Sequence, residues 1–260
     1  MDRATLLALV DASMATMYAT DTRATPGGEV VEEAGFVCCR TPRGTAMTNL
    51  VVPIGRGDAA ALHRVTDRVY RRAGHPFSVW LRAHADDAVA AAAPSLGFRE
   101  ITTVPGMVLA PGDAVPPSPP DDLVIAPVAD ETDRRAFASV VSTAWTVYGT
   151  PAESTAEHFA TPASVAGPRT QAFLARRDGV AVAGAILYLA HGVGGIGWVA
   201  TLPAWARRGY GAAVTWAVVR AGLARGAAFL SLQASPMGAP VYRRLGFTMP
   251  THYRVFVAAA

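Results

Sequence analysis

Apolar positions along the chain switch repeatedly between helical and strand spacing. In the first 110 residues, apolar residues recur three or four positions apart in three segments, which predicts helices over 4–18, 58–73 and 86–96. Shorter apolar runs predict strands over 30–40, 46–54, 77–82 and 98–110, with a turn at Pro42-Arg43-Gly44. This order of elements is typical of a mixed α/β fold.

The same alternation returns after residue 121. The pattern predicts helices over 131–146, 153–160, 211–225 and 235–245, and Asp130 is the expected N-cap of the first. It predicts strands over 123–127, 171–176, 180–190, 195–201, 228–234 and 247–257, with a hairpin turn at Asp178-Gly179. Both halves therefore fit an α/β fold built on a mixed sheet.

A segment rich in proline and glycine separates the two halves. Six of the eleven residues from 111 to 121 are proline or glycine, so neither a helix nor a strand ladder continues through them. We therefore predict a first domain over 1–110, a linker over 111–121 and a second domain over 122–260. The triplet Leu-Gly-Phe follows the last helix of each half, at 96–98 and at 245–247, which suggests a diverged duplication.

Composition bounds the class of protein. The hydrophobic fraction is 51%, which is enough for real cores, yet no apolar run approaches the roughly 20 residues of a membrane span. The chain starts without the pattern of a signal peptide, so we expect a cytoplasmic protein with no membrane partner. Cys38 and Cys39 are adjacent, which predicts two reduced thiols on opposite faces of a strand.

Charge differs between the two halves. Residues 1–120 hold 11 Arg against 12 Asp and Glu, a net charge of −1, whereas residues 121–260 hold 12 against 8, a net charge of +4. After Asp178 there is no carboxylate side chain, while seven Arg remain. Such a region suits an anionic ligand. Nucleic acid is not the expected partner, because these arginines are dispersed and form no basic stripe with stacking aromatics.

One loop in the second half has the features of a diphosphate site. The predicted strand 195–201 leads into a loop, and Gly209-Tyr210-Gly211 then opens a helix. Small residues at a helix N-terminus allow backbone N–H groups to approach an anion, and Arg207 and Arg208 add charge. A Walker loop is excluded because the chain has no lysine, and a dinucleotide fold lacks its acidic residue. The loop alone also fits an ordinary strand–loop–helix.

Two motifs together resemble the signatures of the GNAT superfamily of N-acetyltransferases. The first is Ala206-Arg207-Arg208-Gly209-Tyr210-Gly211-Ala212, and the second is Tyr242-Arg243-Arg244-Leu245-Gly246-Phe247. They occur in the family's order, and the resemblance covers roughly residues 122–257. It implies the GNAT acyl-CoA N-acyltransferase fold, as a tandem of two such units, and acetyl-coenzyme A (acetyl-CoA) as co-substrate.

The resemblance also implies roles for individual residues. Tyr242 matches the tyrosine that protonates the departing thiolate, a step that suits a phenol. The positions that match the coenzyme A site are Val199, Ala200, Thr201, Arg207, Arg208, Gly209, Tyr210, Gly211, Ala212 and Ser235. Two positions depart from the family pattern. Ala206 stands where Arg or Gln is usual, and Ser235 stands where many members have Asn.

No general base is identified by the sequence, because the segment 192–198 has no carboxylate. The candidates are Glu153, Glu157, His158, His191, His252 and the terminal carboxylate of Ala260, and each also fits a surface group. Trp145, Tyr148 and Phe159 are expected to line the acceptor pocket, although all three also fit a plain core.

The first half lacks the diphosphate loop. At the equivalent place, Asp58 follows Gly55-Arg56-Gly57 and would repel a diphosphate, so it is better suited to cap a helix. We expect a degenerate acetyltransferase-like unit that extends the sheet or walls the acceptor site.

The overall expectation is an acetyltransferase that acts in a ternary complex, by direct attack of a primary amine on the thioester. The acceptor is a small molecule or a peptide, and the protein is a monomer or a homodimer. A non-catalytic acyl-CoA sensor or scaffold is the alternative, and a tandem enzyme with a specialised small-molecule product is a third possibility.

Overall fold

The computed structural model describes residues 1–118 and 120–258. Their helices are α1 (Arg3–Ala24), α2 (Ala59–Thr66), α3 (Asp87–Ala92), α4 (Glu131–Trp145), α5 (Ala152–Glu157), α6 (Tyr210–Ala224) and α7 (Ala239–Arg244). Their strands are β1 (Glu29–Glu33), β2 (Phe36–Arg40), β3 (Leu50–Pro53), β4 (Ser78–Arg82), β5 (Phe98–Leu109), β6 (Leu123–Pro127), β7 (Thr170–Arg177), β8 (Val180–Ala190), β9 (Val193–Thr201), β10 (Phe229–Gln233) and β11 (Thr248–Ala258).

Three aspartates fix where helices begin. The side chains of Asp2, Asp58 and Asp130 each accept a hydrogen bond from the backbone N–H three residues on, at 2.8, 2.6 and 2.8 Å. Each bond satisfies a donor that the first turn of a helix leaves without a partner. The caps predicted at Asp58 and Asp130 are thus present.

Some predicted elements have a different form. The predicted strand over 30–40 is a hairpin of β1 and β2, because Ala34 and Gly35 turn the chain with φ of 51° and 86°. The predicted helix over 58–73 is α2 followed by a π-helical turn at 67–71. The helix predicted from residue 235 begins only at Ala239.

All eleven strands form one sheet, in the order β1-β2-β3-β4-β11-β5-β10-β9-β8-β7-β6. Its centre is an exchange of final strands between the two halves. The last strand of the first half, β5, pairs with β10 of the second half, and the last strand of the second half, β11, pairs with β4 of the first. The two exchanged strands also pair with each other over most of their length. The predicted domain boundary at 111–121 remains a prediction, but each side of it supplies a strand to the other.

The first helix lies across this junction. α1 packs on β1, β2 and β3 of the first half and on β8 and β9 of the second. Its Asp11 side chain, 4% exposed, accepts a hydrogen bond of 2.9 Å from the Tyr253 hydroxyl of β11. His84 Nε2 lies 3.1 Å from the same carboxylate, and an Arg82 guanidinium nitrogen lies 3.6 Å from it. A buried charge is tolerated where such partners surround it, so this cluster fixes α1 to β4 and β11.

The two cysteines lie on opposite faces of β2, as predicted. Cys38 packs against Leu62 of α2, whereas Cys39 packs in the cluster that includes Met14 of α1. Both thiols are free, and burial raises the pKa of each to about 12. Reactive cysteines have a lowered pKa and an exposed sulfur, so these two are packing residues.

In the part of the chain that the structure describes, none of the helices is both long and apolar enough to cross a membrane.

The exchanged strands predict a stability effect at Gly106. A Cβ at this position would lie 2.9 Å from Thr251 Cγ2 and 2.9 Å from Tyr253 Cε2, both on β11. Gly106→Ala should therefore lower the free energy of unfolding by about 1–3 kcal/mol, since a packed site has no room for the methyl group. Gly112→Ala is the control, because no atom lies within 4 Å of its added Cβ. Urea unfolding of both variants measures the difference, and equal stabilities would contradict the packing of β5 on β11.

Candidate active site

A cleft opens where β9 and β10 separate. The two strands pair in parallel only from Val193 to Gly195 of β9, and β10 then continues along β5. On its other edge β9 has a bulge, since Gly197 pairs with Ile186 but Ala200 pairs with Gly184. Trp198 and Val199 therefore have no partner residue on either neighbouring strand. Trp198 has a φ of 52°, a conformation that non-glycine residues rarely adopt outside functional or strained sites.

The cleft widens into a cavity of about 290 Å³ between the two halves. The second half supplies Trp145, Tyr148, His158, Trp198, Val199 and Tyr242 to its wall. The first half supplies residues of α1, β4 and β5 and of the loop at 46–48, among them Met17, Asp21 and Trp80. The wall is mainly apolar, and Asp21 is the only carboxylate or arginine in it among the residues described. This composition is typical of small-molecule sites, in which a few polar groups orient an apolar ligand.

The loop that follows β9 presents a row of free backbone donors. Arg207 and Gly209 have φ of 60° and 83°, and Gly209 is the N-cap of α6. Across residues 1–118 and 120–258, nothing accepts a hydrogen bond from the backbone N–H of any residue from 207 to 212. Ala213 is the first to donate, to the Gly209 carbonyl at 2.9 Å. Such a row at a helix N-terminus is suited to bind an anion.

The side chains around this loop divide into two groups. Arg207 and Arg208 are exposed, and the Arg208 guanidinium lies 5.0 Å from the centre of the Trp205 ring. Tyr210 is 2% exposed and its hydroxyl donates to the Asp122 carboxylate at 3.2 Å. Its side chain is therefore a packing group, and only its backbone N–H remains free. A Cβ on Gly211 would lie 3.3 Å from Thr201 Oγ1, so the helix start is packed tightly against the end of β9.

Of the other predicted coenzyme-binding residues, some line the cavity and others pair within the sheet. Val199 lines the cavity and belongs to the bulge, whereas Ala200 is 5% exposed and pairs with Gly184 in the sheet. Thr201 pairs with Ala183. Ser235 also lines the cavity, and its Oγ accepts a hydrogen bond of 3.1 Å from the Gly238 N–H. Ser235 thus closes the turn before α7.

Tyr242, on α7, lines the same cavity and is 8% exposed. Burial raises the pKa of its phenol well above the usual value, with a smaller contribution from Tyr148. Its hydroxyl has no hydrogen-bond partner in the described part of the protein. A phenol in this state stays protonated at neutral pH and has its proton available to a ligand.

The candidate general bases differ in whether their side chains line the cavity. His158 lines the cavity and is 1% exposed. Glu153 and His252 are exposed, Glu157 lies outside the cavity wall, and His191 bonds Thr16 at 2.9 Å. Ala260 lies outside the described residues.

Of the predicted pocket aromatics, Trp145 and Tyr148 line the cavity, but the prediction for Phe159 was wrong. Phe159 is fully buried and packs edge-on against Phe137 and against the cavity residue Trp198, so it lies behind the cavity wall.

The sequence did not identify Asp21 as a residue of the cavity. Asp21 Oδ2 lies 3.0 Å from Nδ1 of His158, although it belongs to α1 in the first half. The signal was its helical spacing, since Asp21 follows buried Met17 by four positions and Val10 and Met14 lie on the same helix face. A carboxylate on a core-facing stripe needs a partner, but the sequence does not say which residue it is.

Comparisons with known proteins show which family and fold the chain is similar to. Residues 137–247 match the profile of the acetyltransferase (GNAT) family. A GCN5-related N-acetyltransferase from Kribbella flavida is 22% identical, with 96% of each chain covered and a TM-score of 0.72. A tandem GNAT protein from the clavulanic acid biosynthesis pathway is 14% identical, with 99% of this chain and 96% of that chain covered and a TM-score of 0.60.

A GCN5-related N-acetyltransferase from Sphaerobacter thermophilus has the same fold, at 18% identity and a TM-score of 0.56, with 90% of this chain and 76% of that chain covered. No curated protein matches the chain. The predicted fold, a mixed α/β sheet of the GNAT type, is confirmed by these structures.

Proposed function

Because residues 137–247 match the model of the acetyltransferase (GNAT) family, we propose that this protein transfers an acetyl group from acetyl-CoA to a primary amine. The observation that carries the proposal is the row of unpaired N–H groups at 207–212, which lies directly after the bulged strand β9. In this proposal the loop binds the anionic end of the coenzyme and the cavity binds the apolar acceptor, with β9 running from Val199 at the cavity to Thr201 beside Gly211 of the loop.

The loop fits the pyrophosphate of coenzyme A. Its unpaired N–H groups and the N-terminal end of α6 favour negative charge. The exposed Arg207 and Arg208 side chains add positive charge beside them. The absence of Arg or Gln at Ala206 does not remove this site, because the donors belong to the backbone.

The bulge and Tyr242 supply the remaining parts of the reaction. The amine attacks the thioester carbonyl carbon directly, and the backbone N–H groups of the β9 bulge, at Trp198 and Val199, stabilise the negative charge on the carbonyl oxygen. As the C–S bond breaks, Tyr242 donates its proton to the sulfur. The mainly apolar wall and the size of the cavity favour a small amine with an apolar body over a peptide.

Two glycines with the same backbone conformation test the pyrophosphate loop. Gly209 and Gly226 have the same φ of 83°, but Gly209 begins α6 and Gly226 follows its end. An alanine should strain either position by about 1 kcal/mol or more. Only Gly209→Ala should weaken acetyl-CoA binding, by roughly tenfold or more, since hydrogen bonds to charged groups contribute about 1.5–3 kcal/mol each.

Isothermal titration with acetyl-CoA measures this difference. Equal affinities for the two variants would place the coenzyme elsewhere, and no binding by the native protein at millimolar acetyl-CoA would refute the proposal.

Tyr242→Phe tests the proton donor. The variant should bind acetyl-CoA like the native protein, but its kcat should fall by about 10²-fold or more, because the thiolate then leaves without a proton. Tyr70→Phe is the control, since it also loses a buried hydroxyl, one that donates to the Cys39 and Leu50 carbonyls and belongs to a side chain that does not line the cavity.

Turnover of a panel of primary amines, followed by release of free thiol, measures both variants. A native protein that binds acetyl-CoA and acetylates none of the amines would instead be a non-catalytic acyl-CoA sensor. An unchanged kcat in Tyr242→Phe would exclude Tyr242 as the donor.

A further inference from the structure

A buried carboxylate–imidazole pair joins the two halves at the cavity. Asp21 Oδ2 of α1 lies 3.0 Å from His158 Nδ1, and the side chains are 6% and 2% exposed. The other carboxylate oxygen accepts a bond of 3.4 Å from the Tyr188 hydroxyl. Thr25 Oγ1, which bonds the Asp21 carbonyl at 3.0 Å, lies 3.2 Å from the same Nδ1. The imidazole is thus held on one side by several polar groups.

These contacts fix the tautomer of His158. The Thr25 hydroxyl donates its own proton to the Asp21 carbonyl, so its oxygen accepts from Nδ1, which therefore carries the ring proton and faces the Asp21 carboxylate 3.0 Å away. Nε2 is then left with a lone pair. This atom is buried, and no described residue donates a hydrogen bond to it. A buried acceptor without a donor is destabilising, so an unpartnered nitrogen of a residue that lines a cavity calls for a ligand.

We propose that His158 is the general base of the reaction and that Asp21 is its positioning residue. This inference rests on the acetyl transfer proposed above. His158 and Tyr242 line the same cavity, and Asp21 is the one carboxylate or arginine in its described wall. The site therefore attracts an ammonium group and places a proton acceptor beside it.

The protons balance in the following way. His158 Nε2 takes one proton from the ammonium group, and the neutral amine forms the C–N bond while the C–S bond breaks. The amide nitrogen gives up a second proton, which replaces the proton that Tyr242 donates to the thiolate. Amide and free thiol leave, and the imidazolium, stabilised by Asp21, returns its proton to solvent.

In this arrangement the first half of the chain has a role in catalysis. It has no diphosphate loop of its own, but α1 carries the carboxylate that orients the base. The first half, which has no coenzyme site, would thus contribute the Asp21 side chain to catalysis as well as one wall of the cavity.

Variants of the pair test the proposal in the full-length protein. His158→Gln and Asp21→Asn should bind acetyl-CoA normally, while their kcat with benzylamine falls by about 10²-fold or more. His84→Gln is the matched control, because His84 forms the same kind of pair with Asp11, at 3.1 Å, outside the cavity. It should lose stability and keep kcat.

A comparison of two acceptors shows whether His158 and Asp21 act in proton removal or only in structure. Phenylhydrazine has the shape of benzylamine but is neutral at pH 7, so it needs no proton removed before attack. The deficits of His158→Gln and Asp21→Asn should therefore shrink at least tenfold with phenylhydrazine. Imidazole in solution should also restore turnover to His158→Ala.

The outcomes distinguish the two proposals. If the native protein acetylates no apolar amine, the proposed function fails and the pair fails with it. If the native protein is active and the variants, shown by acetyl-CoA binding to be folded, keep their kcat or lose equally with both acceptors, only the general base is refuted.

Discussion

The pairing of β5 with β10 and of β11 with β4 is the constraint on which the rest of the structure depends. Because β10 pairs with β5, it is drawn away from β9 after Ser231, and the cleft opens between them. Because β11 continues the sheet of the first half, α1 is held over the junction. The cavity is therefore a consequence of strand pairing, with walls from both halves.

Two buried aspartates on α1 hold this junction in different ways. Asp11 has hydrogen-bond partners in Tyr253 and His84 and the positive charge of Arg82 at 3.6 Å, so the cluster is complete. Asp21 binds an imidazole whose second nitrogen has no partner among the residues described. A buried polar group with every bond made stabilises a fold, whereas one with an open acceptor at a cavity is suited to bind and react. The same helix thus supports the sheet at one position and the site at another.

Local sequence predicts the parts of this protein that depend on local physics. Helix starts at Asp58 and Asp130, most strands of each half and the glycine-containing loop before α6 follow from caps, periodicity and glycine. The strand exchange does not, because β4 pairs equally well with any strand of suitable pattern and register, and the choice is made by contacts distant in sequence. Asp21 was not predicted as a site residue for the same reason, since its partner His158 is distant in sequence. The prediction for Phe159 was wrong because Trp198, distant in sequence, lies between it and the cavity.

The exchange of strands also affects the order in which the protein is able to fold. On the ribosome, β1 to β4 emerge early, but the strand that pairs with β4 is β11, at residues 248–258. The β4 edge of the first half therefore lacks its native partner until β11 has been synthesised. Contacts so distant in sequence slow folding, and an open edge is prone to pair with other chains. The first half thus completes its sheet only together with the second, and a chaperone that shields β4 in the interval would raise the yield of folded protein.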